Sequence, residues 1–256
     1  MTSLKHNRPI LAAIFVVLAL GSCGSGNGVA HIDGSSASVT RPMLDHWMKA
    51  TVGTDFRANV GTQAPVGLVS EPADYPRCAE TVKRVIPNGH IGKLKLSNGQ
   101  IFMKCRQLYR AIKAQALGYL LSTQGAVLEA EEQGLSVSDA ELHEEFERFS
   151  REFFGSQTSR QKYLTERHLV LADVLYQLKR NMLVRKLTGR LEVRAKKAGG
   201  GVSALVRLAL ARLRVLTAKT TCETGYVVLG CNEYREPATP LPSPSVILEA
   251  FAGAVG

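Results

Sequence analysis

Glu129-Ala130-Glu131-Glu132-Gln133-Gly134-Leu135-Ser136-Val137-Ser138-Asp139-Ala140-Glu141-Leu142 holds the end of one helix and the start of the next. Gly134 closes a periodic apolar run, as a residue free to take the left-handed conformation does at a helix end. Ser138 and Glu141 have capping-box spacing: the serine oxygen accepts the third backbone N–H and the glutamate reaches back. Upstream, Leu108, Ile112, Ala116, Leu117, Leu120 and Leu121 form a helical stripe that continues through Val127, Leu128 and Ala130. Downstream, Leu142, Phe146, Phe149 and Phe153 recur at helical spacing, and Thr158-Ser159-Arg160-Gln161 is a weaker box opening a short helix through Leu164. Leu171, Val174, Leu175, Leu178, Met182 and Leu187 mark a long helix. After a break at Ala198-Gly199-Gly200-Gly201, Val202 to Leu216 is helical again, with Arg207, Arg212 and Arg214 on one side and leucines on the other.

On the N-terminal side, Val29 to Ile32 alternates into Asp33-Gly34, a strand entering a turn, and Ser38-Val39-Thr40 resumes it. Thr40 is placed to cap a helix with Pro42 in its first turn and Met43, Leu44, Trp47 and Met48 on one face. Residues 53–76 lack periodicity and read as a loop. Ala79 to Val85 reads as a short helix, and Leu94, Leu96 and Ile101, between Pro87-Asn88-Gly89, Ser97-Asn98-Gly99 and the next helix, as a hairpin. From Pro237 the chain is proline-rich, then small and apolar from Ser245 to Gly256. The expected fold is mostly α, a helical domain with a short N-terminal strand or hairpin and an extended C-terminal tail.

The first residues read as an address. Met1 to Pro9 carries Lys5 and Arg8 and no acid, and Ile10 to Leu20 is an unbroken apolar run of eleven residues. A membrane-spanning helix needs about 20 apolar residues, so this run fits the hydrophobic part of a signal peptide instead. Leu20-Gly21-Ser22-Cys23 resembles a bacterial lipobox, with small residues before the cut and a thiol after it to carry diacylglycerol. The alternative is an ordinary signal peptide with an incidental cysteine. The lipoprotein reading places cleavage between Ser22 and Cys23, lipid on Cys23, and a flexible tether over 23–28. It expects the protein on the extracytoplasmic face of a membrane.

Composition excludes a fully disordered chain: 45% of the 256 residues are hydrophobic and 21% charged. The net charge is +10, and cleavage would take Lys5 and Arg8 with it, leaving +8. An exported basic protein rarely meets nucleic acid, so none is expected; anionic headgroups, acidic envelope polymers or a plain solvated surface account for the balance. Cys78, Cys105, Cys222 and Cys231 remain after Cys23, an even number that reads as disulfides in an exported chain. Of the three pairings, proximity favours Cys78–Cys105 and Cys222–Cys231. The chain has no Cys-x-x-Cys spacing, and only His90 lies near any of the four, so no metal is expected.

The order of elements, with the 129–146 segment at its centre, resembles the N-terminal chaperone domain of the SurA and PrsA foldase families. Val29 to Gly34 and Val39-Thr40 are similar to their strand turn and helix start, with Asp33 in place of the usual Asn. Glu129 to Leu142, followed by Phe146 and Phe153, is similar to their most specific segment. The resemblance covers roughly 29–50 and 105–190 and leaves about 51–104 as an insertion in a domain spanning 29–195. A C-terminal helix and disulfide loop (196–236) and the tail (237–256) follow. Family members often carry a parvulin-type prolyl isomerase domain of about 90 to 100 residues with two histidines. Only 66 residues follow Arg190 here, and the last histidine is His168. The resemblance therefore implies a non-catalytic, ATP-independent holder of unfolded secreted or envelope polypeptides, with no cofactor and no enzyme activity. The other readings are a divergent prolyl isomerase and a structural envelope lipoprotein.

Other constellations favour ordinary roles. Glu129, Glu131, Glu132, Glu141, Glu144, Glu145 and Glu147 read as solvated helix faces, and His143 and His168 as surface histidines. There is no Gly-x-Ser-x-Gly, phosphate-binding loop or His-Glu-x-x-His. Phe146, Phe149 and Phe153 read as core, with a client groove as the alternative. Trp47, Met48, Phe149 and Phe153 are the candidate client contacts.

Overall fold

The computed structural model describes residues 27–35, 38–60, 63–85, 90–91 and 94–236. The leader with Ser22 and Cys23, most of the tether, Pro87-Asn88-Gly89 and the tail over 237–256 lie outside the described residues. Strand β1 (Gly28–Ile32) pairs antiparallel with β2 (Ser38–Thr40) through a turn at Asp33-Gly34. Gly34 sits at φ 87°, where a side chain would be strained. The other edge of β1 carries β5 (Thr220–Cys222), with Ala30 opposite Cys222 and Ile32 opposite Thr220. The sheet order is therefore β2-β1-β5, and the last described element closes on the first.

Thr40 accepts from the Met43 N–H at 3.4 Å and opens α1 (Arg41–Val60). This helix buries Leu44, Trp47, Met48, Val52 and Phe56. It runs to Val60, eight residues into the stretch read as a loop. Gly53 obscured the helical pattern, and it has a tertiary reason. The backbone of Arg167 lies 2.8 Å from where a Cβ would stand, so only glycine lets the chain after α5 approach α1 this closely.

Helix α2 (Tyr75–Val85) starts before Cys78 rather than after it, and β3 (His90–Ile91) and β4 (Leu94–Lys95) form a minimal hairpin. Ile101 is not part of that hairpin. Ser97 caps α3 (Asn98–Glu132) with a full capping box to Gln100, so Asn98-Gly99 opens a helix rather than turning a strand. At 35 residues, α3 is the axis of the fold. Its Leu108, Ile112, Leu117 and Leu120 are fully buried against Leu44 and Met48 of α1 and against Val29, Ile32 and Val39 of the sheet.

Ser138 and Glu141 make both bonds of the expected box and start α4 (Asp139–Phe149). A π-helical turn, Ser150–Phe154, ends at Gly155. Helix α5 (Gln157–Glu166) is capped by Ser156, which accepts from the Ser159 N–H at 3.1 Å; the expected cap at Thr158 lies inside the helix. Helix α6 (Leu171–Lys197) and α7 (Gly201–Ala218) follow, meeting at the predicted glycine break. A smaller apolar cluster joins Ala130, Val137, Met182, Leu183 and Leu187, so the connection from α3 to α4 is pinned on α6. The proposed insertion limits near 51 and 104 fall inside α1 and α3. No described helix is long and apolar enough to cross a membrane.

Both disulfides follow the proximity pairing. Cys78–Cys105 joins α2 to α3, and Cys222–Cys231 closes the loop after β5.

Candidate functional site

The four candidate client contacts separate into two places. Met48 is 0% exposed and Trp47 is nearly as buried, its ring against Tyr119 at 4.8 Å and Tyr176 at 5.7 Å. Met48 therefore packs α1 on α3 and presents no surface to a client. Trp47 reaches only the wall of a pocket of about 220 Å³ that also takes in Thr51, Thr54, Asp55, Gln115 and Gln177. Burial pushes the Asp55 carboxyl above its usual range, against a lowering hydrogen bond from Gln115.

Phe149 and Phe153 lie together at the far end of α4. Their rings stack at 5.0 Å with 13° between planes, and Phe153 is 55% exposed. The π-helical turn produces this. A wider turn delays the inward position by one residue, so Phe154 rather than Phe153 enters the core. Phe154 and Tyr163 both meet the Phe153 ring edge-on, at 5.2 Å each. Arg167 stands over Tyr163 at 4.0 Å and Arg160 over Phe146 at 5.8 Å, so the aromatic patch is rimmed by cations. Phe146 itself is buried.

The glutamates do not share one environment. Glu129 is buried, not solvated, and its Oε1 lies 2.5 Å from Arg212 Nε of α7. Burial raises its pKa, while Arg212 opposes the rise. Glu141 is held to about 2 by Lys186 and by the Ser138 backbone and hydroxyl. Glu145 bridges Arg148 and Arg185, the latter at 2.7 Å, and is also lowered, chiefly by Arg185. These acids tie helices together, Glu129 joining α3 to α7 and Glu141 and Glu145 joining α4 to α6.

Two further polar centres escaped sequence reading. Glu71 accepts from the hydroxyls of Tyr109 and Tyr226, each at 2.5 Å, and its N–H donates to Asp45. Burial first, then this carboxylate, pushes Tyr226 up to about 12. His46 Nε2 lies 2.9 Å from Asp173 Oδ1, and Asp173 also accepts from the Val170 N–H at the start of α6. Both centres join residues far apart in the chain, and no local spacing announces them. Among the described residues one group has the composition of a metal site, Cys222, Cys231 and Glu233. Its two sulfurs are bonded to each other, which leaves a single carboxylate.

Comparison of the chain with protein-family models, curated proteins and solved structures finds no match.

Proposed function

We propose that the protein is an extracytoplasmic, lipid-anchored chaperone that binds unfolded exported polypeptides without ATP. The observation that carries this reading is the Phe149–Phe153 stack, an aromatic patch held open to solvent by a π-helical turn. It stands at the end of the helix that begins in the segment resembling the SurA and PrsA chaperone domains. An unfolded chain has not buried its own apolar side chains, and covering apolar surface is worth about 25 cal/mol per Å² without regard to sequence. Association takes back several kcal/mol, so binding is weak, broad and fast-exchanging. Arg160 and Arg167 at the rim favour aromatic and acidic clients.

The test is light scattering of a denatured exported protein diluted into buffer with increasing amounts of a chain beginning at Gly24, with and without ATP. The expected result is suppressed aggregation, unaffected by ATP and weakened by Phe153→Ser. No suppression at several-fold molar excess overturns the reading in favour of a structural envelope lipoprotein.

A further inference from the structure

The geometry of α7 points to a second surface, and we infer that this helix docks directly on an anionic phospholipid bilayer. Val202, Val206, Leu210 and Leu213 are between 49% and 78% exposed. At 100° per residue they fall within about 80° of arc, a continuous apolar stripe along the helix. Only Ala204 of α7 is buried, so the helix lies on the body by a narrow edge and turns its apolar stripe to solvent.

Charge identifies what covers the stripe. Helix α7 contains three arginines and no Asp or Glu. Arg212 points inward to Glu129 and Glu132, and Lys219, just beyond the helix, also pairs with Glu132. Arg207 and Arg214 lie beside the stripe and have no ion pair among the described residues. Lys196 and Lys197, just before the Ala198–Gly200 turn, have none either. An apolar strip edged by free cations and lacking acids matches the two layers of a membrane surface. The leucines and valines enter the acyl boundary while arginines reach the headgroup phosphates. An unfolded polypeptide carries both signs of charge and calls for no such one-signed border. This docking depends neither on Cys23 nor on the aromatic patch.

The probe is sedimentation of the chain beginning at Gly24, which keeps every described residue, with sucrose-loaded vesicles. One set is phosphatidylcholine alone; the other is an equal mixture of phosphatidylglycerol and phosphatidylcholine. The chain is expected to pellet with the anionic vesicles and not the neutral ones, and to be released by salt. The L210S/L213S pair should lower partitioning at least about tenfold. The R207Q/R214Q pair should weaken binding and flatten its salt dependence, with the helical circular dichroism of both variants unchanged. Four results would overturn the inference. The unaltered chain could stay in the supernatant, or both variants could pellet as it does. Binding could appear only after removal of 237–256, which would make the chain's own tail the occupant. Or the unaltered chain could be a dimer that L210S/L213S dissociates, which would make a second copy the occupant.

Discussion

Arg212 Nε lies 2.5 Å from Glu129 Oε1, and this pair fastens α7 to the C-terminal end of α3. Arg212→Ala leaves the buried Glu129 with the Gln133 amide, which donates to it at 3.0 Å, and with the weaker field of Arg194. A buried charge that loses its partner costs about 3 kcal/mol. Urea denaturation should show that loss near neutral pH. The unpaired carboxyl will titrate higher still when folded, so the deficit should shrink as pH falls and the group protonates. A deficit that is the same at acidic and neutral pH would contradict this assignment.

Gly53→Ala should destabilise despite its place inside a helix. In an exposed helix the exchange gains about 1 kcal/mol from propensity. Here the new methyl meets the Arg167 backbone at 2.8 Å, which cannot swing aside as a side-chain tip can. A net loss of about 1 to 3 kcal/mol is expected, the range for overpacking. Thermal melts of the two chains decide the sign.

The disulfides should differ in weight. Cys78–Cys105 spans 27 residues and Cys222–Cys231 spans 9. Loop-closure entropy assigns about 3.6 kcal/mol to the first and about 2.6 to the second. The C78A/C105A chain should therefore have the lower denaturation midpoint. Peptide mapping without reductant should recover both pairings, and a crossed pairing would refute them.

His46 should make stability depend on pH near neutrality. Its hydrogen bond to Asp173 raises its pKa above the usual value, against burial and Lys49, which lower it, and with Asp45 adding to the rise. A histidine raised on folding contributes fully below about pH 6.5, its unfolded value, and loses the contribution as pH rises through the folded value. The melting temperature should fall between about pH 6 and pH 8 more steeply in the unaltered chain than in His46→Gln. Parallel curves would show that the pair does not titrate in this window.

Cys23→Ala should abolish lipidation. The altered chain should lack the mass of the lipid or accumulate as precursor, and the high salt that releases an α7-docked chain should strip it from membranes while leaving the lipidated chain in place, since stable anchoring takes more than one acyl chain. Unchanged mass and unchanged membrane retention would rule the lipoprotein assignment out.

The sequence by itself determined the local grammar. Helix starts at Thr40 and Ser138, the stop at Gly134, the turn at Asp33-Gly34 and the break before Gly201 were all readable, because caps and turns are chosen by residues three or four apart. Both disulfide pairings were readable too, from proximity. Tertiary structure decided what depends on a distant neighbour. It carried α1 through Gly53 because Arg167 lies against it, and it buried Glu129 because Arg212 arrives from 83 residues on. It also joined Glu71 to Tyr226 across 155 residues. Phe149, Phe153 and Phe154 show the division most clearly. Helical spacing put the first two on one stripe, but one wider turn sent Phe154 inward and left Phe153 in water. Spacing can report which residues share a face. Which of them is covered depends on where the rest of the chain packs, and that free energy is non-local.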